Sequence, residues 1–143
     1  MEGRIMAIDY GMKRVGLAVT DELGIIANAL DTVETKQLLV FLQQYCAKEN
    51  VRFFVLGMPK RLDNTDSSIA PEVKKFQTKL ENLFPDKKVY TYDERFTSKM
   101  AFQTMIDGGL KKNARKDKSM VDKISATILL QSFLEHWNNS QKL

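Results

Sequence analysis

Acidic residues stand at three points where predicted strands or helices begin or end. Asp9 closes a short apolar run, Asp93-Glu94-Arg95 follows a strand-like run, and Asp122 lies early in the last helical pattern. Carboxylates that meet in space repel one another, and a fold usually tolerates them only around a cation. Mg²⁺ or Mn²⁺ is the expected ion, since Mg²⁺ takes hard oxygen ligands and is often shared with substrate phosphates. The acids therefore predict one metal site that is suited to phosphate chemistry.

The ligand set is predicted as Asp9, Glu94 and Asp122, which would also be the catalytic residues. Successive residues of a strand point to opposite faces, so only one of Asp93 and Glu94 should face the site. Glu94 is preferred, and Asp93 is kept as the alternative ligand.

Two of these acids also have structural interpretations. Asp9 precedes Tyr10-Gly11, and aspartate favours turns. Ser119-Met120-Val121-Asp122 has the pattern of a capping box, in which Asp122 would serve the helix amino terminus. Helical spacing nevertheless aligns Asp122 with three apolar residues, so its side chain should point toward packed surface. These three are Ala126, Leu129 and Phe133. Both roles of Asp122 can coexist at the rim of a site.

Basic residues cluster in the segments that should surround the acids. Five of the eight residues from Lys111 to Lys118 are Lys or Arg, in a predicted linker before the helix that bears Asp122. Arg95 is expected to pair with Asp93 or to contact phosphate, with the structural role slightly favoured. A solvated loop is the ordinary interpretation of such a run, but a nucleic-acid backbone bound at the metals would pass nearby. The candidate nucleic-acid-binding residues are Lys13, Arg14, Lys60, Arg61, Arg95, Lys111, Lys112, Arg115, Lys116 and Lys118.

Composition narrows the class of protein. The 143 residues predict a single domain spanning 1–143, and the net charge of +4 with a pI near 9.1 leans toward a polyanionic partner. One cysteine, Cys46, excludes an intrachain disulfide, and the single histidine, His136, argues against a zinc site or a Cys-His nucleophile. No signal peptide or membrane span is predicted, so a cytoplasmic protein without membrane partners is expected.

The elements that must position the acids follow from hydrophobic periodicity and from turn residues. Two strands, Arg4 to Asp9 and Arg14 to Thr20, should form a hairpin, and Thr35 should cap the first helix. The remaining predicted strands cover 25–33, 51–56 and 88–92, and the helices cover about 35–50, 69–84, 97–107 and 119–137. An antiparallel hairpin followed by strands that need crossover helices is the order of a ribonuclease H-like fold. The expected fold is α/β, with a mixed five-stranded sheet and helices on both faces.

Four sequence blocks resemble the YqgF family, also called RuvX, in order and spacing over nearly the whole chain. The blocks are Ala7-Ile8-Asp9-Tyr10-Gly11-Met12-Lys13-Arg14-Val15-Gly16-Leu17-Ala18-Val19, Val55-Leu56-Gly57-Met58-Pro59, Asp93-Glu94-Arg95-Phe96-Thr97-Ser98 and Val121-Asp122-Lys123-Ile124-Ser125-Ala126. Asn64 and Ser125 depart from residues that are common in the family, but neither change threatens the fold or the acids.

The resemblance implies a metal-dependent nuclease related to Holliday junction resolvases and linked in bacteria to maturation of the 5′ end of precursor 16S ribosomal RNA. It implies Asp9, Glu94 and Asp122 as the carboxylates at two strand ends and on the last helix. The expected partners are precursor rRNA or branched DNA, together with ribosomal particles. The substrate stays open between RNA and a DNA junction, and the oligomeric state between monomer and homodimer.

Two other functions are weighed against the nuclease. A nucleic-acid-binding module that kept the fold and lost catalysis would not need its acids. An ATP-binding protein is suggested by Asp9-Tyr10-Gly11, which looks like the phosphate loop of actin-like kinases. Those enzymes need two such domains around a nucleotide cleft, whereas 143 residues supply one.

Overall fold

The computed structural model describes residues 3–58, 69–93 and 118–141. Five strands form one sheet in the order β3-β2-β1-β4-β5. The strands are β1 (Arg4–Asp9), β2 (Arg14–Thr20), β3 (Ala27–Glu34), β4 (Val51–Met58) and β5 (Lys88–Asp93). The helices are α1 (Leu38–Lys48), α2 (Ala70–Leu83) and α3 (Lys118–Gln141), and a 3₁₀ turn covers Thr35–Gln37.

The mixed sheet confirms the predicted α/β fold class. β1 pairs with β2 and β2 with β3 in antiparallel fashion, while β4 runs parallel to β1 and to β5. The predicted hairpin is therefore confirmed, and so are the parallel pairs that crossover helices connect. Parallel strands end at the same edge, so Asp9, Met58 and Asp93 lie along one edge of the sheet.

The central strands are buried on both faces, which explains their nearly continuous apolar sequence. α1 and α2 cover one face, where Met6, Leu17 and Phe54 belong to one apolar cluster. α3 covers the other face, where Ala7 and Ala18 pack with Leu129 of the helix. We refer to these as the α1/α2 face and the α3 face. The alternation along β1 and β2 assigns each side chain to one of them.

Several predicted boundaries need correction. Thr35 does not cap α1: Gln37 is the residue before that helix, and the Thr35 hydroxyl instead donates to the Gly11 carbonyl oxygen at 2.6 Å. The helix ends at Lys48 rather than near Asn50. Lys118 begins α3 instead of ending a linker, so Ser119 lies inside the helix and not at the cap position of a capping box. The predicted helix over 97–107 lies outside the described residues.

Within residues 3–58, 69–93 and 118–141, no helix combines the length and the apolar character that a membrane crossing requires.

Candidate active site

Asp9 is the last residue of β1 and belongs to the α3 face. It pairs across the hairpin with Gly16 of β2, and residues that are directly opposite in an antiparallel pair share a face. The same alternation places Ile5 and Ala7 in the cluster that packs against α3. Asp9 is therefore a strand-end residue whose side chain lies on the side of the sheet that α3 covers.

Gly16 brings the start of α3 close to that position. A Cβ atom on Gly16 would overlap the Asp122 carbonyl oxygen and lie only 2.6 Å from its carbonyl carbon. A glycine inside a strand often marks such a close approach of another backbone. Asp9 and Asp122 are thus both immediate neighbours of Gly16, although 113 positions of sequence separate them.

Arg14 fixes the Asp122 side chain. Its Nε donates to Asp122 Oδ2 at 2.9 Å, and the two side chains are 37% and 26% exposed, respectively. Ala126, Leu129 and Phe133 of α3 are buried, as the predicted stripe required. The carboxylate accordingly lies at the rim of the packed surface, where it accepts a charge-assisted hydrogen bond.

The end of β5 bears on the choice between Asp93 and Glu94. Tyr90 and Tyr92 pack in the cluster of the α3 face, whereas Val89 packs on the opposite face. Asp93 follows Tyr92 and pairs with Met58, which also packs on the α1/α2 face. Alternation therefore assigns Asp93 to the face away from Asp9. Glu94 lies outside the described residues, and its role as a ligand stays a prediction.

The described residues supply two of the three predicted ligands. Among these residues, no group of three His, Cys, Asp or Glu side chains is arranged to hold a metal ion. The two acids that do adjoin Gly16 offer only carboxylate oxygens, the donor type that suits Mg²⁺ or Mn²⁺. The donor set therefore fits a hard divalent cation, with the third predicted acid still untested.

Only two of the predicted nucleic-acid-binding residues have described surroundings. Lys13 lies in the β1–β2 turn, and Arg14 begins β2, as predicted, and binds Asp122. Lys118 is the first residue of α3. The others lie outside the described residues: Lys60, Arg61, Arg95, Lys111, Lys112, Arg115 and Lys116. Phosphate contact by any of the ten stays a prediction.

Packing and hydrogen bonding account for four further side chains. Cys46 packs against the core of the α1/α2 face, and burial raises the pKa of its thiol. His136 lies within α3, which continues to Gln141, and its Nδ1 is 2.7 Å from the Tyr92 hydroxyl oxygen. Tyr90 and Tyr92 make ring contacts with Phe133 of α3, in agreement with a packing role.

Sequence reasoning missed the Arg14–Asp122 ion pair and the role of Gly16. The sequence predicts phosphate binding for Arg14, because its charge and its place beside a turn suit that role equally well. The sequence around Gly16 does indicate a close contact, since a glycine flanked by apolar strand residues often allows another backbone to approach. No property of the sequence indicated which backbone that would be.

Known structures identify the class of fold. The chain aligns with a structure titled "T. thermophilus RuvC in complex with Holliday junction substrate" with a TM-score of 0.54 at 14% identity, covering 95% of this chain and 96% of the other. A second one, "Thermus thermophilus RuvC structure", has a TM-score of 0.52 at 13% identity and covers 94% and 96%. This similarity confirms the predicted ribonuclease H-like fold.

Sequence comparison identifies the family. The family model described as "RuvX: Holliday junction resolvase" matches residues 3–136, and the chain belongs to this family. A Flavobacterium johnsoniae protein named "Putative pre-16S rRNA nuclease" is 53% identical over 131 residues, covering 92% of this chain and 95% of the relative. An Amoebophilus asiaticus protein of the same name is 50% identical over 135 residues, covering 94% and 96%. Both descriptions denote enzymes that hydrolyse phosphodiester bonds, so the predicted family and enzyme class are confirmed.

Proposed function

We propose that this protein is a metal-dependent nuclease that trims the 5′ end of precursor 16S ribosomal RNA. The observation that carries the proposal is the position of Asp9 and Asp122 on either side of Gly16, on one face of the sheet. The backbone of Asp122 is thereby kept close to the strand end that carries Asp9, at the edge where the parallel strands end. Relatives with about 50% sequence identity are named for this RNA, and they support the choice of substrate.

The metal ligands in this proposal are Asp9, Asp122 and the sequence-predicted Glu94. Bound Mg²⁺ or Mn²⁺ would supply an activated water and stabilise charge on the phosphate and on the leaving oxygen. The carboxylates of the chain bind and orient, and no protein nucleophile is required. Asp93 is not a ligand in this scheme, because alternation along β5 directs it to the opposite face.

The other residues around the pair have supporting roles. Arg14 orients Asp122 through the 2.9 Å hydrogen bond and offsets its negative charge. Gly16 keeps the first turns of α3 close to the end of β1 because it has no side chain. Lys13 lies next to Arg14 in the turn beyond Asp9, where a cation would attract the phosphodiester backbone of a substrate. The basic segment before α3 would add to this attraction.

A four-way DNA junction is the alternative substrate. The description of the family as Holliday junction resolvase favours it, and one of the fold neighbours was solved with such a junction. Symmetric cutting of a junction requires a dimer, whereas trimming of an RNA end can be done by a monomer. The relatives with about 50% identity lead us to place the RNA first.

The test is cleavage of end-labelled precursor 16S RNA and of a labelled four-way DNA junction in Mg²⁺, Mn²⁺ or EDTA. Wild type is compared with Asp9→Asn and with Asp86→Asn. Asp86 is an exposed aspartate between α2 and β5, at the opposite edge of the sheet. The control therefore removes the same charge from the chain without touching the site.

Cutting of the RNA in Mg²⁺ or Mn²⁺, lost in Asp9→Asn and in EDTA but kept in Asp86→Asn, would support the proposal. If only the junction is cut, the proposed substrate is the four-way DNA junction and not the RNA. Binding of either nucleic acid without any cleavage would contradict the nuclease and favour the non-catalytic module.

A further inference from the structure

A cavity of about 290 Å³ opens on the α1/α2 face beside the end of β1. It lies between the 3₁₀ turn with the start of α1 on one side and α2 on the other. Its lining residues are Tyr10, Thr35, Lys36, Leu39, Glu72, Lys75, Phe76 and Lys79. We call this cavity the lysine groove. None of its three lysines is among the nucleic-acid-binding residues that were predicted from the sequence.

The lysine groove is held firmly to the strand end that carries Asp9. The Thr35 backbone N–H donates to the Lys13 carbonyl oxygen at 3.0 Å, and the Thr35 hydroxyl donates to the Gly11 carbonyl oxygen at 2.6 Å. Tyr10, the residue after Asp9, stacks on Phe76 of α2 with ring centroids 5.0 Å apart. The turn that follows Asp9 is thus tied to both walls of the groove.

The charges in the lysine groove favour an anion. Lys36 and Lys75 have highly exposed side chains, 78% and 71%, and their ion pairs with Glu34 and Glu72 are long, at 3.4 Å and 3.7 Å. Exposed pairs of this kind contribute little and exchange readily for a phosphate. Three lysines line the groove, whereas two glutamates lie beside them: Glu72 in the lining and Glu34 in the adjoining cavity. The groove therefore has an excess of positive charge that a phosphodiester backbone would neutralise.

A second cavity of about 440 Å³ continues the lysine groove toward the candidate active site. Its lining includes Lys13 and Arg14, and it shares Thr35 and Lys36 with the groove. Arg14 is also the residue that binds Asp122. A continuous surface with basic residues therefore leads from α2, past the 3₁₀ turn, to Arg14, which binds Asp122.

We propose that the lysine groove binds the sugar–phosphate backbone of a single-stranded segment of the substrate, next to the bond that is cut. This inference rests on the proposed nuclease function. A nucleotide-sized space between a helix and a turn suits one strand rather than a duplex, and lysine contacts to phosphate bind without regard to sequence. Lys36, Lys75 and Lys79 make the phosphate contacts, and Tyr10 lies where the strand passes to the acids.

The test measures binding of a fluorescently labelled single-stranded RNA, containing the 5′ region of precursor 16S RNA, between 0.05 and 0.2 M KCl. The double variant Lys75→Gln/Lys79→Gln is compared with wild type and with Lys48→Gln/Lys74→Gln. Lys48 and Lys74 are exposed on α1 and α2 but do not line either cavity. Both double variants lower the net charge equally, so only the position of the lost charge differs.

Loss of two phosphate contacts to a single strand should reduce the slope of log affinity against log salt by about 1.4. At 0.1 M salt this corresponds to roughly 25-fold weaker binding, at about fivefold for each contact. Lys48→Gln/Lys74→Gln should bind nearly as tightly as wild type.

The proposal is overturned if the groove variant keeps the wild-type slope, or if both double variants lose affinity equally. Failure of the nuclease function gives a different result. If the wild type cuts no RNA but the Lys75→Gln/Lys79→Gln variant shows the reduced slope, the groove proposal stands and the nuclease proposal fails. If the wild type cuts RNA and the variant keeps the wild-type slope, the nuclease proposal stands and the groove proposal fails.

Discussion

The guanidinium of Arg14 binds the carboxylate of Asp122 across 108 positions of sequence, with Nε 2.9 Å from Oδ2. This pair links the first residue of β2 to the second turn of α3, beside the strand end that carries Asp9. The arginine supplies positive charge at the same carboxylate that is proposed to bind a metal ion. A divalent cation and the guanidinium therefore compensate the same negative charge, and their effects on stability should be coupled.

The first prediction concerns Arg14→Gln. Without divalent ions, the variant should lose about 1 kcal/mol of unfolding free energy, since the bond is charge-assisted but partly exposed. Mn²⁺ should then stabilise the variant more than wild type, because the metal offsets a charge that the arginine no longer compensates. Urea unfolding in EDTA and in Mn²⁺ measures both effects.

Arg4→Gln is the matched control for this experiment. Arg4 also makes a partly exposed ion pair, with Nε 3.2 Å from Glu49 Oε2, at the other end of β1. Its loss should lower stability in EDTA and leave the gain from Mn²⁺ as in wild type. An equal gain in Arg14→Gln and in wild type would refute the coupling.

The second prediction concerns Gly16→Ala. The added Cβ would overlap the Asp122 carbonyl oxygen, so the start of α3 must move away from β2. Such overpacking typically costs about 1–3 kcal/mol of stability. Cleavage should fall by roughly tenfold to a hundredfold, because displacement of a ligand by about 1 Å has effects of that size. Cleavage assays at a temperature where the variant is fully folded measure this loss.

Val15→Ala provides a control of similar stability. Val15 is the preceding residue of β2 and is fully buried on the opposite face, away from α3. Its truncation should destabilise the fold by about 1–3 kcal/mol and leave the cleavage rate of folded protein nearly unchanged. Comparable cleavage by both variants would mean that the approach of α3 to Gly16 does not set the position of Asp122.

Gly16 and Arg14 show how far the sequence could predict this site. Hydrophobic periodicity correctly predicted that β1 ends at Asp9 and that β2 covers Arg14 to Thr20, because such patterning is a local property of the chain. The helical spacing of Asp122 likewise predicted which side of α3 packs. The contact between Gly16 and Asp122 depends on how α3 crosses the sheet, and that is decided by tertiary packing. Thr35 illustrates the same limit. Its type favours the cap of a helix, but in the structure its hydroxyl donates to the Gly11 carbonyl oxygen in the β1–β2 turn.

The third prediction separates Asp93 from Glu94. Asp93 shares the α1/α2 face with its partner Met58, so Asp93→Asn should keep cleavage within about threefold of wild type. Glu94→Gln should lower cleavage by at least a hundredfold, as expected for a lost metal ligand. Assays over a range of Mg²⁺ concentrations distinguish weaker metal binding from a slower chemical step. A large loss in Asp93→Asn together with an active Glu94→Gln would reverse the assignment.

The fourth prediction concerns Tyr92 and His136. Tyr92→Phe keeps the ring contact with Phe133 and removes the hydroxyl group, whose oxygen lies 2.7 Å from His136 Nδ1. The variant should lose about 0.5–1.5 kcal/mol of stability at neutral pH, with no change in RNA affinity, because the ring packs against α3 and does not stack on a base.

The same variant should alter the stability at alkaline pH. Burial raises the pKa of Tyr92 above its ordinary value of 10.0, and the charges of Glu135 and Asp93 add to this effect. A raised pKa favours the folded state while the group is protonated, so this contribution is present below pH 10 and is lost as the pH rises through the folded-state pKa. Unfolding measured from pH 8 to 11 should therefore show a smaller alkaline loss of stability in Tyr92→Phe than in wild type. Identical pH dependence in the two proteins, or weaker RNA binding by Tyr92→Phe, would contradict the packing role.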